Sequence, residues 1–250
     1  MVRIPAVVIT TPSSDRGVPL IDILRKSSLF ETIELKATMG RDLDDASECD
    51  KQDEMKSYGR ILIANERACA VSHSKARSII AQSSHGGIIF EDDARILNLT
   101  QLELITQKFL ERNKNRRSVL SLLNYDSQKS RKINSTSITT IRLIPLLAEA
   151  PLAVATVQTN RAAAELATKA KSSSQVADWP KSSTRFFFLN KPLVNHGDSN
   201  TNSVIGLINE RIELKREKLT NFSELQILLL KLRRKIDLLL IQIFQENWKR

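Results

Sequence analysis

The sequence contains little cysteine and no long apolar run. Its 250 residues include two cysteines, Cys49 and Cys69, which cannot staple a chain of this length. A disulfide scaffold is therefore excluded, and reduced thiols are expected. A membrane-spanning helix needs about 20 consecutive apolar residues, which no stretch of the sequence supplies. The apolar run at residues 6–9 is too short for a secretion signal, so we expect a cytoplasmic protein.

Aromatic residues are scarce as well, and the charge is unbalanced. Aromatic residues make up 5% of the chain. Lys and Arg outnumber Asp and Glu by 38 to 28, which gives a formal charge of +10. An excess of positive charge favours polyanionic partners: nucleic acid, an anionic membrane or phosphorylated small molecules. The basic run at residues 112–117 has no aromatic stacking motif beside it. We therefore expect no nucleic-acid partner.

Apolar runs recur along the chain and alternate with helical patterns. Runs typical of buried strands lie at residues 6–10, 30–35, 88–90, 118–125, 138–147, 151–158 and 185–189. Helical spacing of apolar residues is found at 19–30, 66–83, 100–112 and 160–170. This alternation predicts an α/β fold with a mainly parallel central sheet flanked by helices.

Polar segments between these elements predict one loop and two helix starts. The segment from Arg41 to Met55 holds seven acidic residues without the spacing or the central glycine of an EF-hand, so we expect a solvated, mobile loop. Asn65 is a candidate cap for the helix that follows it. Thr100 and Glu103 have the spacing of a capping box for the next helix.

The strongest chemical signal is the run Glu91-Asp92-Asp93, directly after a buried strand. Clustered carboxylates repel one another unless solvent or a cation relieves the repulsion. Glu91 and Asp93 can both reach a hard divalent cation, and such ions complete their shells with water and substrate phosphates. The loop that holds Asp15 and Arg16 follows the first strand, at the end where parallel sheets bind ligands. Both segments are candidate site residues.

A second signal comes from the helix that precedes this strand. Glu66, Cys69 and His73 are three and four residues apart and therefore project from one helix face. Three interpretations stay open. In the first, the three residues are zinc ligands that lack a fourth ligand and the standard spacing. In the second, Cys69 is a nucleophile paired with His73, without an identified acid to orient the histidine. In the third, Cys69 is a core residue and His73 is a hydrogen-bonded histidine beside it.

Taken together, the segments Glu66–His73 and Gly87–Ala94 resemble glycosyltransferase family 25, the lipooligosaccharide and collagen-type galactosyltransferases. Members carry a Glu-x-x-Cys-x-x-Ser-His helix, followed by a strand that ends in Glu-Asp-Asp and a small residue. Both blocks occur here in that order. Departures from the family pattern are Ala68, where glycine is usual, the lack of an aromatic residue around Val154, and His196, near a usual glutamine.

Weaker similarity extends over residues 5–206. It involves Val8-Ile9 with Asp15-Arg16, the segment 153–166, Asp178-Trp179-Pro180 and Lys191-Pro192-Leu193-Val194. The resemblance implies a GT-A-like domain at residues 1–206. It also implies transfer of a sugar, most often galactose from UDP-galactose, to a hydroxyl of a glycan or lipooligosaccharide-type acceptor. The first alternative is a non-catalytic protein of the same fold that binds a glycan or a partner. The second, which the charge of the chain keeps open, is a basic nucleic-acid-binding protein.

The resemblance also implies roles for individual residues. Asp93 is the first candidate ligand for Mn²⁺ or Mg²⁺, with Glu91 or Asp92 second. Asp178 is the candidate base that deprotonates the acceptor hydroxyl. Arg16 is expected to bind the nucleotide phosphates. The remaining residues of the implied donor pocket are Asp15, Glu66, Ser72, His73 and Asp92.

Residues 207–250 differ in character and are expected to form a basic amphipathic helical extension. Leu225 to Phe244 is rich in leucine and isoleucine, but basic residues interrupt it and make a spanning helix too costly. Two interpretations stay open. The helix packs on the protein's own core or on a second copy, as in a homodimer, or it lies on the anionic inner face of the membrane.

Membrane contact predicts that the full chain co-sediments with vesicles containing an anionic phospholipid, because apolar burial and charge attraction then act together. Deletion of residues 221–250 should abolish this binding, and zwitterionic vesicles serve as the control. Equal sedimentation of the full and shortened chains would contradict membrane contact through this segment.

Overall fold

The computed structural model describes residues 3–58, 61–124, 136–138, 141–145, 154–169, 184–189 and 191–197. The strands are β1 (Ile4–Thr10), β2 (Phe30–Lys36), β3 (Gly87–Glu91), β4 (Ala94–Ile96), β5 (Ser118–Asn124), β6 (Thr136–Ile138), β7 (Ile141–Pro145), β8 (Ala155–Gln158), β9 (Arg185–Leu189) and β10 (Val194–His196). The helices are α1 (Val18–Arg25), α2 (Glu48–Tyr58), α3 (Ala64–Gln82), α4 (Leu99–Asn113) and α5 (Asn160–Lys169), with a 3₁₀ helix at Gly40–Asp42.

The main sheet is mixed in direction. Its body has the order β2-β1-β3-β8-β5-β9, and the hairpin β7-β6 extends it beyond β9. β1 is parallel to β2 and β3, and β5 is parallel to β9. β8 is antiparallel to both of its neighbours, β3 and β5. β4 and β10 form a separate two-stranded antiparallel sheet.

The predicted α/β class is confirmed, but the prediction of a mainly parallel sheet is wrong. The reason lies in β8, which is buried along its whole length. A strand with both faces covered reads as a continuous apolar run in either direction, so the sequence pattern carries no information about its orientation. The predicted strand at 138–147 contains β7, at Ile141–Pro145, which pairs in antiparallel direction with β6, at Thr136–Ile138.

Helices cover both faces of the sheet. Alternate residues of β1 point to opposite sides: Ala6 and Val8 pack with α1 and α4, whereas Val7 and Ile9 pack with α3 and α5. β3 alternates in the same way between the two clusters. Burial of one large apolar side chain contributes about 1.5–3 kcal/mol. The cluster that contains Val7 and Ile9 also contains residues of α3 and therefore fixes this helix against the central strands. The N-terminal half of α3 lies near the carboxyl end of β3, where His73 contacts Glu91.

The acidic segment that was expected to be a mobile loop is largely helical. It contains the 3₁₀ helix and α2, in which the Glu54 side chain is fully buried. Arg67 of α3 donates from Nε to Glu54 Oε1 at 2.6 Å, and the Leu62 amide donates to Oε2 at 2.8 Å. The loop prediction is wrong because a partner in another helix neutralises this carboxylate, and α2 has no apolar stripe of its own to reveal the helix.

The two predicted helix caps are also wrong. α3 begins after Ile63, whose amide donates to Glu66 Oε2 at 3.2 Å, while Asn65 accepts from the amide of Gly40. α4 begins after Asn98, whose Oδ1 accepts from the Gln101 amide at 2.9 Å. Each true cap lies two residues before the predicted one, within the usual uncertainty of helix boundaries.

Several predictions fall outside the described residues. These are the C-terminal extension at 207–250, Asp178 and the boundary between the two predicted domains. Among the helices that the structure describes, none combines the length and the apolar character needed to cross a bilayer.

The Glu54–Arg67 pair predicts a large effect on stability. Glu54→Gln leaves the Arg67 guanidinium as a buried cation without its carboxylate, so we expect a loss of about 3–5 kcal/mol in the free energy of unfolding. Glu48→Gln, on an exposed position of the same helix, should change it by less than about 0.5 kcal/mol. Urea denaturation followed by circular dichroism measures both. Similar midpoints for the two variants would contradict this role of the pair.

Candidate functional site

The acidic run lies where the carboxyl ends of two parallel strands meet. Glu91 is the last residue of β3, and Asp92 and Asp93 form the turn into β4. β1 runs parallel beside β3, so the loop after Thr10 lies against this turn. Gly17 favours the close approach, because a Cβ there would lie 2.9 Å from Thr10 Cγ2 and force that side chain to shift. The same Cβ would lie in ordinary contact with Asp92 Cβ, at 3.5 Å. Two segments predicted as site residues are thus brought together.

Asp92 fastens this loop to the end of β3. Its side chain is buried, and the Thr11 amide donates to Oδ2 at 3.2 Å. Arg16 Nη2 lies 3.6 Å from Asp92 Oδ1. Within the same loop, Ser13 has a φ of 63°, a left-handed backbone conformation that residues other than glycine rarely adopt. The Asp92 carboxylate therefore contacts this loop at both Thr11 and Arg16.

Asp93 lies at the centre of the charged groups. Arg16 Nη2 donates to Asp93 Oδ2 at 3.0 Å, and His196 Nε2 lies 3.2 Å from the same oxygen. The other oxygen, Oδ1, is buried and has no hydrogen-bond partner among the described residues. A buried carboxylate oxygen without a donor is costly, which makes it a candidate ligand for a cation.

The electrostatic environment of Asp93 opposes its ionisation. Burial raises the pKa of this carboxyl above its usual value of 3.8, and the negative charge of Glu91 raises it further. The positive charges of His196 and Arg16 act in the opposite direction but do not cancel the rise. Ionisable groups with raised pKa values are concentrated at functional sites, and a cation bound here would lower the pKa of Asp93 again.

The Glu91 side chain faces His73, whereas Asp93 contacts Arg16 and His196. His73 of α3 is 1% exposed, and its Nε2 lies 3.0 Å from Glu91 Oε1. Cys69, one turn earlier on α3, completes a group whose ligand atoms all lie within 4.8 Å of one another. The sequence had placed Glu66 in this group with Cys69 and His73. In the structure the third residue of the group is Glu91. Its carboxylate contacts His73, for which the sequence had identified no orienting acid.

Glu66 and Ser72 make contacts that support the local fold. Glu66 caps α3, as described above. Ser72 Oγ donates to the Ala68 carbonyl at 2.8 Å and accepts from the Thr38 amide at 2.9 Å. Asp15 is exposed, and its carbonyl accepts from the Val18 amide at the start of α1. Donor binding by these three residues stays a prediction, as does the role of Asp178, outside the described residues.

His196 is a site residue that the sequence did not reveal as one. β10 pairs with β4, and His196 lies opposite Ala94 in that pair. The Gly197 amide donates to the Asp93 carbonyl at 2.7 Å, and a Cβ on Gly197 would lie 2.9 Å from that oxygen. In the sequence, His196 is a single histidine before a glycine, and it stands there as a departure from the family pattern and not as a candidate site residue. Its meaning depends on a strand pairing that the local pattern does not encode.

Comparison with protein-family models found no family that matches the chain, and a search of curated proteins found no similar protein. The case for a function consequently depends on the geometry of the carboxylate cluster and on the motif resemblance.

The raised pKa of Asp93 predicts that, without a bound cation, the ionised form of this residue lowers the free energy of unfolding. Its ionised form is less favourable in the folded chain than in the unfolded chain, so the cost is present above the raised pKa and disappears as the pH falls through it toward 3.8. Asp93→Asn should therefore raise the free energy of unfolding at neutral pH, and the gain should vanish in acid.

Glu34 offers a control of opposite sign. Hydrogen bonds from Lys36 and Thr10 lower the pKa of this carboxyl below its usual value of 4.5. Glu34 therefore contributes stability that is present above 4.5 and is lost as the pH falls through the lowered pKa. Glu34→Gln should destabilise the protein at neutral pH. Denaturant titrations across the acid range test both variants, and equal pH profiles would contradict the environments described.

Proposed function

We propose that the protein is a metal-dependent glycosyltransferase with a GT-A-like fold. It transfers a sugar, galactose in the first instance, from a UDP-sugar to a hydroxyl of a glycan or lipooligosaccharide-type acceptor. The observation that carries this proposal is the buried Oδ1 of Asp93, which lacks a hydrogen-bond partner in the described part of the chain. It lies in a carboxylate cluster at the carboxyl end of a strand, beside Arg16.

The residues present fit a hard divalent cation. Asp93 is the first ligand of the proposal, and Glu91 is close enough for its charge to raise the pKa of Asp93. His196 Nε2, 3.2 Å from Asp93 Oδ2, adds an imidazole to the ligand set. Carboxylate and imidazole groups are ligands of Mn²⁺, and carboxylates of Mg²⁺. A divalent cation held there would stabilise the negative charge of the departing nucleoside diphosphate.

Arg16 is the proposed ligand of the donor phosphates. Its side chain is 37% exposed, so its guanidinium can turn from Asp93 to a diphosphate without crossing a buried region. A guanidinium binds phosphate oxygens through charge-assisted, often paired, hydrogen bonds. The loop from Thr11 to Gly17 is held against Asp92, which keeps Arg16 at the same end of the sheet as the carboxylates.

The acceptor side of the reaction needs a base for the attacking hydroxyl. Asp178 is proposed for this role from the motif resemblance, and Asp15, Glu66, Ser72, His73 and Asp92 are proposed to line or support the donor pocket. We further propose that the enzyme acts in the cytoplasm, with residues 221–250 in peripheral contact with the anionic inner face of the membrane.

The proposal predicts that UDP-galactose and Mn²⁺ together raise the melting temperature. At a ligand concentration of about 100 times Kd, linkage adds about 2.7 kcal/mol to stability, which corresponds to several degrees for a chain of this size. Asp93→Asn should abolish the gain and keep the folded state. Asp22→Asn, on the exposed side of α1, is the matched control and should behave as the wild type.

A donor screen then separates an enzyme from a binding protein. Release of free nucleotide is measured with UDP-, GDP- and CMP-sugars, with and without Mn²⁺. We expect Mn²⁺-dependent release from UDP-galactose that Asp93→Asn eliminates. Donor binding without nucleotide release, even with a range of glycan acceptors, would favour the non-catalytic alternative. Equal thermal stabilisation of wild type and Asp93→Asn would remove Asp93 from the metal site.

A further inference from the structure

A second group of metal-ligating side chains lies beside the carboxylate cluster. Cys69 and His73 occupy successive turns on one face of α3, and Glu91 ends the neighbouring strand β3. Packing of Ala76 and Ile80 against β1 and β3 fixes the helix on this face of the sheet. The three side chains are therefore brought together by the core of the fold and not by a surface loop.

We infer that Cys69, His73 and Glu91 bind a transition-metal cation of the Zn²⁺ class. Their ligand atoms lie within 4.8 Å of one another. In a tetrahedral zinc site, metal–ligand bonds of about 2.0–2.3 Å place neighbouring ligand atoms roughly 3–4 Å apart. His73 Nε2 and Glu91 Oε1 are already 3.0 Å apart. Small rotations of the side chains thus suffice to enclose a cation.

The surroundings of His73 suit a ligand. The side chain is 1% exposed, and its Nδ1 has no hydrogen-bond partner in the described residues. Ligation through Nε2, the nitrogen that faces Glu91, requires the neutral ring with its proton on Nδ1. No donor among the described residues contacts Nδ1, so placing the proton there breaks no existing hydrogen bond. Glu91 is 24% exposed, which leaves a route by which the cation and a water molecule as fourth ligand reach the group.

The chemistry of this group differs from that of the proposed catalytic cation. A thiolate and an imidazole favour Zn²⁺ and its neighbours, whereas the carboxylates around Asp93 favour Mn²⁺ or Mg²⁺. Binding converts the Cys69 thiol to a thiolate and releases its proton to solvent. The cation would join α3 to the end of β3 and hold Glu91 in place. This inference does not depend on the proposed glycosyltransferase activity.

Cobalt titration of a single-thiol chain tests the inference. Cys49 is exposed on α2, so Cys49→Ser carries little risk for folding and leaves Cys69 as the remaining cysteine of the 250-residue chain. Co²⁺ bound to a thiolate gives a sulfur-to-metal charge-transfer absorption in the near ultraviolet. We expect this absorption to saturate at one Co²⁺ per chain and to disappear on addition of Zn²⁺ but not of Mg²⁺.

The decisive comparison is between Cys49→Ser and the double variant Cys49→Ser with Cys69→Ser. The absorption should be lost completely in the double variant, and His73→Gln should weaken Co²⁺ binding by at least about tenfold. No thiolate absorption in Cys49→Ser, or binding at more than one equivalent without saturation, would overturn the inference. The rise in melting temperature that UDP-galactose and Mn²⁺ cause in Cys69→Ser is measured in parallel. This measurement tests the proposed Asp93 site separately, so that its failure is distinguished from failure of the Cys69 site.

Discussion

The crowding of three carboxylates at the end of β3 is the constraint on which the site depends. Three parts of the chain compensate these carboxylates. His73 of α3 faces Glu91, the loop after β1 contacts Asp92 through the Thr11 amide and Asp93 through Arg16, and His196 also contacts Asp93. Desolvated negative charges at such short range repel one another strongly unless they are paired. The acidic turn therefore joins elements that are distant in the sequence, and Asp93 is the least completely satisfied of the three.

Much of the layered fold could be predicted because it follows from hydrophobic periodicity. The alternation of buried strands with amphipathic helices identified the α/β class, and each helix predicted within the described residues is present. The direction of β8 could not be predicted, since a strand buried on both faces has the same pattern in either direction. α2 was missed for a related reason. Its buried Glu54 is neutralised by Arg67 of another helix, which local composition does not show.

The residues of the candidate site that lie in one short segment or on one helix face could be predicted from the sequence. The run Glu91 to Asp93 is contiguous, and the rule that ligands bind beyond the carboxyl ends of parallel strands placed Arg16 beside it. Spacing on a helix also put Cys69 and His73 on one face. The pairing of His73 with Glu91 crosses from helix to strand, and the contact of His196 with Asp93 depends on the β4–β10 pairing. Neither contact is encoded in a short stretch of sequence.

Glu91 connects the two cation sites that we propose. Its Oε1 faces His73, while its charge acts on Asp93, so it belongs to both groups. Burial is the main cause of the raised pKa of Asp93, and the charge of Glu91 adds to it. A cation held by Cys69 and His73 would offset part of that charge. It would also fix the carboxylate in position, as outer partners commonly do for metal ligands. The Cys-x-x-x-His pattern on α3 would then support the acidic turn, and the two blocks of sequence would act together in the proposed site.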